Sequence, residues 1–365
     1  MKADSPLVPS VELPIDLNPL CARLEELSPG LQSVKDWPAV QIRLLADAGV
    51  LAWGLPPEFG GHPASDVQVM AAYEKLAAAC LTTTFVLTQR NAACQRIAAS
   101  SNFEIKSELL PSLCRGEAFA TVGISHLTTS RQHLAKPVVT AVEAGDHFVL
   151  DGTVPWVTSA SAAENIVTGG TLADGRQVLM AVPVALAGVE RREPMQLLAL
   201  SASRTATLVL DNVRVPKRNL LFGPIEQVMK HGGGGAGSLT TSTLAVGLTA
   251  GILGRLKNEA QRRTELVPIL EALESEHRAA RADLYLAANS STAGAPSAES
   301  VRQKANSLVL RAAQAYLAAS KGAGFVVGHP AERAVREAMF FLVWSCPAPV
   351  VSAALREFAC VIDDA

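Results

Sequence analysis

The chain has 365 residues, 49% of them hydrophobic and 18% charged, with a formal net charge of −2. That is too long for one compact core and predicts two or three domains. Acidic and basic residues are interspersed, so charge makes no case for nucleic acid or a membrane surface as partner.

Residues 1–30 hold several prolines and little periodicity, which predicts an arm with at most one short helix. Their opening, MKADSPLVPSVELP, lacks the apolar core of a secretory signal. From Trp37-Pro38 the pattern turns helical and stops at Gly49, a favourable C-cap. Leu55-Pro56-Pro57 and Gly60-Gly61 mark a loop. Val69, Tyr73, Leu76 and Cys80 then recur on one helical face, and helix is expected to about Cys114. An all-α domain is thus assigned to residues 1–117.

The texture changes near Glu117. Val138–Val142 and His147–Leu150 flank a turn containing Gly145 and read as a β-hairpin. Gln177–Val182 and Thr207–Val215 are further β-rich runs, so 118–223 is read as a small β-barrel or sandwich. After the run Gly232–Gly235, read as a hinge rather than a phosphate cradle, Leu244, Leu248, Ile252 and Leu256 line one helical face. Gly247, Gly251 and Gly254 would let another helix approach closely. Helices at about 269–288, 300–320, 331–343 and 349–361, with a loop over Asn289–Ala298, complete a bundle over 224–365. The fold class is therefore mainly α with a central β domain. Nowhere do about 20 consecutive apolar residues occur. Six scattered cysteines without a CxxC pair read as reduced thiols in a cytoplasmic protein, Cys346 among them as an inert one. His126 and His133 find no third metal ligand, so no metal is expected.

Three segments in this order carry a resemblance. Leu44–Leu51 with Gly54-Leu55-Pro56-Pro57-Glu58-Phe59-Gly60-Gly61, then Leu150-Asp151-Gly152-Thr153 with Trp156-Val157-Thr158-Ser159, then Leu210–Pro216 are similar to the acyl-CoA dehydrogenase family. Gly322-Ala323-Gly324-Phe325, His329-Pro330 and Arg336-Glu337-Ala338 fall where that family's last helices lie, and the likeness runs from about residue 40 to 360. The resemblance implies FAD, with the Trp156 indole shielding the flavin ring and the Thr158 hydroxyl bonding its polar atoms. It also implies a small-molecule substrate resembling acyl-CoA, and a homodimer or homotetramer in which subunits complete one another's flavin sites.

Several positions depart from the family pattern. Its Thr-Glu-Pro-Gly-Ala-Gly-Ser-Asp loop is here Ser125–Gln132; Ser125 retains a hydroxyl, the glycines are gone, and Arg131 is either an oxyanion ligand or a surface residue. Ser345, in Val343-Trp344-Ser345-Cys346-Pro347, occupies the place of the Glu that removes the substrate's α-proton, and an unactivated hydroxyl is no base near neutral pH. The alternative Glu position falls near Gly237-Ser238, also without a carboxylate. Of the Arg-x-x-Phe-Gly loop that reaches a neighbour's flavin nucleotide, Arg263 survives; Gly322 and Gly324 keep part of a Gly-Gly-x-Gly turn, whose preceding Gln is Ala318. Pro347 and Pro349 replace polar residues on the adenine side. The leading reading is an FAD-dependent oxidoreductase that moves hydride from an acyl-CoA-like substrate to flavin. The alternatives are the family's monooxygenase or oxidase branch, or a non-catalytic scaffold that has lost its base.

Overall fold

The computed structural model describes residues 11–128, 137–231, 237–289 and 294–361, with backbone alone at 128, 237 and 238. Arg131, His133 and Gly232–Gly235 lie outside the described residues.

The N-terminal arm contributes one helix, α1 (Asn18–Leu27). Helix α2 (Ala39–Asp47) gives way to Gly49 at φ +72°, the left-handed conformation that closes a helix at little steric cost to glycine. Helix α3 (Asp66–Ala79) opens on a capping box: Ser65 Oγ accepts from the Gln68 amide at 3.2 Å, and Gln68 Oε1 accepts from the Ser65 amide at 2.9 Å. Its stripe of Val69, Tyr73, Leu76 and the following Cys80 is buried. The expected run of helix to Cys114 divides into α4 (Leu81–Ala99) and α5 (Phe103–Arg115). Polar side chains bond the intervening break to the β region: Ser100 Oγ donates to the Leu221 carbonyl at 2.8 Å and Asn102 Nδ2 to the Arg218 carbonyl at 2.7 Å. Those bonds stop the helix where periodicity alone would continue it.

Eight strands follow: β1 (Ala120–Val122), β2 (Val139–Ala144), β3 (His147–Val157), β4 (Asn165–Thr171), β5 (Gln177–Pro183), β6 (Val189–Arg191), β7 (Ala206–Pro216) and β8 (Leu220–Ile225). They form one sheet in the order β6-β7-β3-β2-β4-β5-β8, with β1 parallel to β4. The β2–β3 hairpin pairs Ala144 with His147 around Gly145 at φ +62°. One side of the sheet encloses Val139, Phe148, Leu150, Val178 and Leu208. The other side packs Val167, Leu179 and Ala181 against Cys94, Ile97 and Leu110 of α4 and α5. The hydrophobic effect on both faces is what ties the sheet to the N-terminal helices.

The chain returns to helix in α7 (Gly237–Ala260), α8 (Val267–Ala288), α9 (Ala298–Ala319), α10 (Pro330–Val343) and α11 (Ala348–Phe358). Residues 239–260 of α7 are long and apolar enough to cross a membrane by composition, yet 72% of that window is buried inside the protein. It packs on α3, where Cβ atoms added at Gly247 and Gly251 would lie 2.4 Å from the Glu74 carbonyl oxygen and 2.3 Å from that of Ala78. Gly254 is different: a Cβ there meets nothing within 4 Å, so it takes no part in the close approach. The α3–α8 contact is polar. Both Glu74 carboxylate oxygens are used, one by Arg281 Nε and the other by the Tyr285 hydroxyl at 2.7 Å.

Candidate active-site cleft

A cleft of about 480 Å³ opens between the bundle and the sheet. Its helical walls are Val69 and Tyr73 of α3, one face of α4, and Thr240, Thr241 and Leu244 of α7; the sheet side adds Val122 and Ile124. The volume lies within the ordinary range for small-molecule sites.

Trp156 reaches this cleft because β3 is irregular. Val154 pairs with Leu208 and Val157 with Ala206, so Pro155 and Trp156 stand opposite one residue of β7. Pro155 has no amide to donate to the ladder, and Trp156 adopts φ +60°. The bulge turns the indole outward, leaving it 47% exposed on the cleft wall. Ser125, at the start of α6 (Ser125–Thr128), lines the same wall and donates its hydroxyl to the Pro155 carbonyl at 3.1 Å.

Thr158 does not join them, and the expectation that its hydroxyl faces the cleft is corrected here. The strand ends at Val157, and Thr158 opens the turn that follows, 1% exposed, its Oγ1 3.2 Å from Thr205 Oγ1. One residue's re-aiming separates the two members of the Trp-x-Thr pair.

Ser345 closes the cleft from the bundle. It follows α10 at φ +42°, exposed, next to Trp344 on the cleft wall. Trp344 stands edge-on to Phe85 at 4.7 Å and stacks on Phe340 at 5.5 Å, an aromatic inner wall. Buried Arg302 of α9 holds this turn: its Nη2 donates to the Trp344 carbonyl at 2.9 Å and its Nε to Asn306 Oδ1 at 2.9 Å. Asn306 in turn donates to the Phe341 carbonyl at 2.8 Å. Burial without a carboxylate neighbour brings the Arg302 guanidinium down to about 10.

The cleft offers no evident base. Asp66 is the one carboxylate among the described lining residues, and it sits exposed in the first turn of α3. Burial pushes the Tyr73 phenol up to about 12 and raises the Cys346 thiol, so both stay protonated near neutrality. Among the described residues no cluster of three metal-ligating side chains occurs.

Arg263, Gly322 and Gly324 gather elsewhere, around the end of α9. Arg263 pairs with Glu259 at 2.8 Å and donates to the Ala319 carbonyl, just before the turn Lys321–Phe325 that holds both glycines. A Cβ at Gly324 would lie 2.6 Å from Ser320 Cβ, whereas Gly322 faces open space. Phe325 and Val327 beside them are 80% and 83% exposed.

The sequence reading missed the α4 wall: Phe85, Thr88, Gln89, Ala92, Gln95 and Arg96. A signal existed. Thr88, Gln89, Gln95 and Arg96 recur at i, i+1, i+7 and i+8 in a helix otherwise made for burial, a polar stripe on its cleft side.

Residues 24–117 match the model of the acyl-CoA dehydrogenase N-terminal domain. A probable acyl-CoA dehydrogenase of Bacillus subtilis is 25% identical over 257 residues, covering 66% of each chain. The mitochondrial short-chain specific acyl-CoA dehydrogenase of Mus musculus is 26% identical over 193 residues, 52% of this chain and 47% of its own. The chain thus spans between about half and two thirds of these curated relatives. Butyryl-CoA dehydrogenase from Megasphaera elsdenii superposes with a TM-score of 0.76 at 17% identity, covering 94% of this chain and 97% of that one. A glutaryl-coenzyme A dehydrogenase in complex with glutaryl-CoA gives 0.78 at 20% identity, covering 96% and 97%. The fold is that of acyl-CoA dehydrogenases, and residues 24–117 match the N-terminal domain of that family.

Proposed function

We propose that the chain is a flavin-dependent oxidoreductase that oxidises an acyl thioester in the cleft between Trp156 and Ser345. The observation that carries this is convergence: Ser125, Trp156 and Ser345, far apart in the chain, open onto one cavity.

The ring end of a flavin fits the residues present. The half-exposed indole of Trp156 is a flat wall, with the Ser125 hydroxyl beside it. When bound, FAD supplies a hydride acceptor. Trp156 then orients and shields, while Phe85, Phe340 and Trp344 keep water from the inner end. The Ser345 hydroxyl is no base for the α-proton near neutral pH, and exposed Asp66 is the one carboxylate among the described lining residues.

The nucleotide end is less complete within one protomer, because Arg263 is committed to Glu259 and Ala319. A second copy covering the exposed Phe325–Val327 segment would bring Gly322 and Gly324 into a shared site, in a homodimer or homotetramer. Six free thiols suit a cytoplasmic setting.

The visible spectrum of the purified chain, with and without added FAD, tests the reading. A yellow protein that bleaches anaerobically with butyryl-CoA supports it. A chain that stays colourless with FAD refutes it and leaves the scaffold.

A further inference from the structure

Arg96 lines the cleft at the last turn of α4, partly buried. Its Nη1 donates to the Ala92 carbonyl at 2.9 Å, and among the described residues no carboxylate lies within ion-pair reach. Burial alone shifts this guanidinium, downward from its ordinary value; no acid counters the shift. Among the described residues that line the cleft it is also the one permanent cation. A buried guanidinium with most of its N–H donors uncommitted is costly unless something occupies them. Beside it Gln95 also lines the cleft, and its side-chain amide makes no hydrogen bond within the described protein. Two adjacent side chains therefore present free donors to one space.

Their place along the helix adds direction. Phe85, under Trp344, and Arg96 are eleven residues apart on α4, about 16 Å at 1.5 Å per residue. The cleft is aromatic at one end and cationic at the other.

We infer that Arg96, assisted by Gln95, is the recognition site for an oxyanion on the substrate, either a carboxylate of the acyl group or the phosphate of its carrier arm. The inference rests on the cleft being the substrate site. Guanidinium suits both anions because its planar fork bonds two oxygens at once, and the partly desolvated setting strengthens those bonds.

Calorimetric titration of the full chain with two pairs of probes tests it. Glutaryl- and butyryl-N-acetylcysteamine differ by a carboxylate. Butyryl-4′-phosphopantetheine and butyryl-pantetheine differ by a phosphate. In one pair the wild type should bind the anionic member roughly tenfold or more tightly. Arg96→Gln should abolish that ratio, and Arg96→Lys should keep part of it, since an ammonium lacks the fork. The pair affected identifies the anion. Thermal melting checks that both variants fold, and Arg96→Lys carries the test if Arg96→Gln does not. The inference is overturned if the wild type prefers neither anion, if it binds no probe, or if the preference survives Arg96→Gln. Flavin bleaching is read separately. A chain that keeps the Arg96-dependent preference but bleaches with no thioester refutes the oxidoreductase and leaves the anion site. Bleaching equally by charged and neutral thioesters does the reverse.

Discussion

Replacing Gly251 by alanine puts a methyl group where the α3–α7 interface has no room. The new Cβ would lie 2.3 Å from the Ala78 carbonyl oxygen and 3.2 Å from Ala78 Cα, against an ordinary contact near 3.4 Å or more. Backbone cannot swing aside, so α3 and α7 must part by about an ångström. Overpacking of this kind costs about 1–3 kcal/mol, partly offset by the roughly 1 kcal/mol that alanine gains over glycine in a helix. Gly251→Ala should therefore destabilise by up to about 2 kcal/mol, and Gly247→Ala similarly, since its Cβ meets the Glu74 carbonyl at 2.4 Å. One turn along, Gly254→Ala meets nothing within 4 Å and should stabilise by about 0.5–1 kcal/mol. Urea titrations followed by circular dichroism should thus order the midpoints Gly254→Ala, wild type, Gly251→Ala. The reasoning fails if Gly251→Ala matches or exceeds the wild type, because the glycines would then not be holding the helices together.

Two further outcomes concern the site and a third the packing of α8 on α7. Ser345→Glu returns a carboxylate to the cleft edge and should accelerate flavin bleaching by butyryl-CoA about 10²–10⁴-fold; an unchanged rate would mean that the missing base is not the limiting defect. Arg302→Met leaves the Trp344 carbonyl and Asn306 Oδ1 without their donors, so unfolding should become easier by about 1–3 kcal/mol and tryptophan emission should shift; a variant as stable as the wild type would deny the clamp. His277 is held below its ordinary value by burial, with Nε2 3.0 Å from the Val246 carbonyl. Below an unfolded value of about 6.5 the unfolded chain takes a proton that the folded chain refuses, so stability falls as pH drops through that point. His277→Gln should flatten the fall between about pH 7 and 5.5, as read from melting temperatures. Buried His126, shifted the same way, keeps its own share.

Helix periodicity made most of the architecture legible. The stripes Val69-Tyr73-Leu76 and Leu244-Leu248-Ile252-Leu256 are both buried, because a single apolar face has only one low-energy way to pack. Strands β1, β4, β6 and β8 escaped notice: β4 reads Asn-Ile-Val-Thr-Gly-Gly-Thr, with glycines where branched residues usually mark a strand. At the site, Trp156 could be singled out by its place beside Thr158, yet the bulge that parts them depends on pairing with β7, which no local pattern encodes. The α4 wall was hidden for the opposite reason. Its polar residues interrupt a buried helix on the side that faces empty volume, and only the assembled fold shows that volume.

The cleft has walls rooted in different cores. Trp156 is carried by β3, whose neighbours Val154 and Val157 are sunk in the sheet's own interior, while Trp344 is bonded through Arg302 to α9 and so to the bundle. The width between the two indoles is therefore a separation between two bodies, not a property of either surface. A substitution deep in one core, swelling or shrinking it by a methyl group, would alter the spacing of reacting groups while leaving every side chain lining the cleft in place.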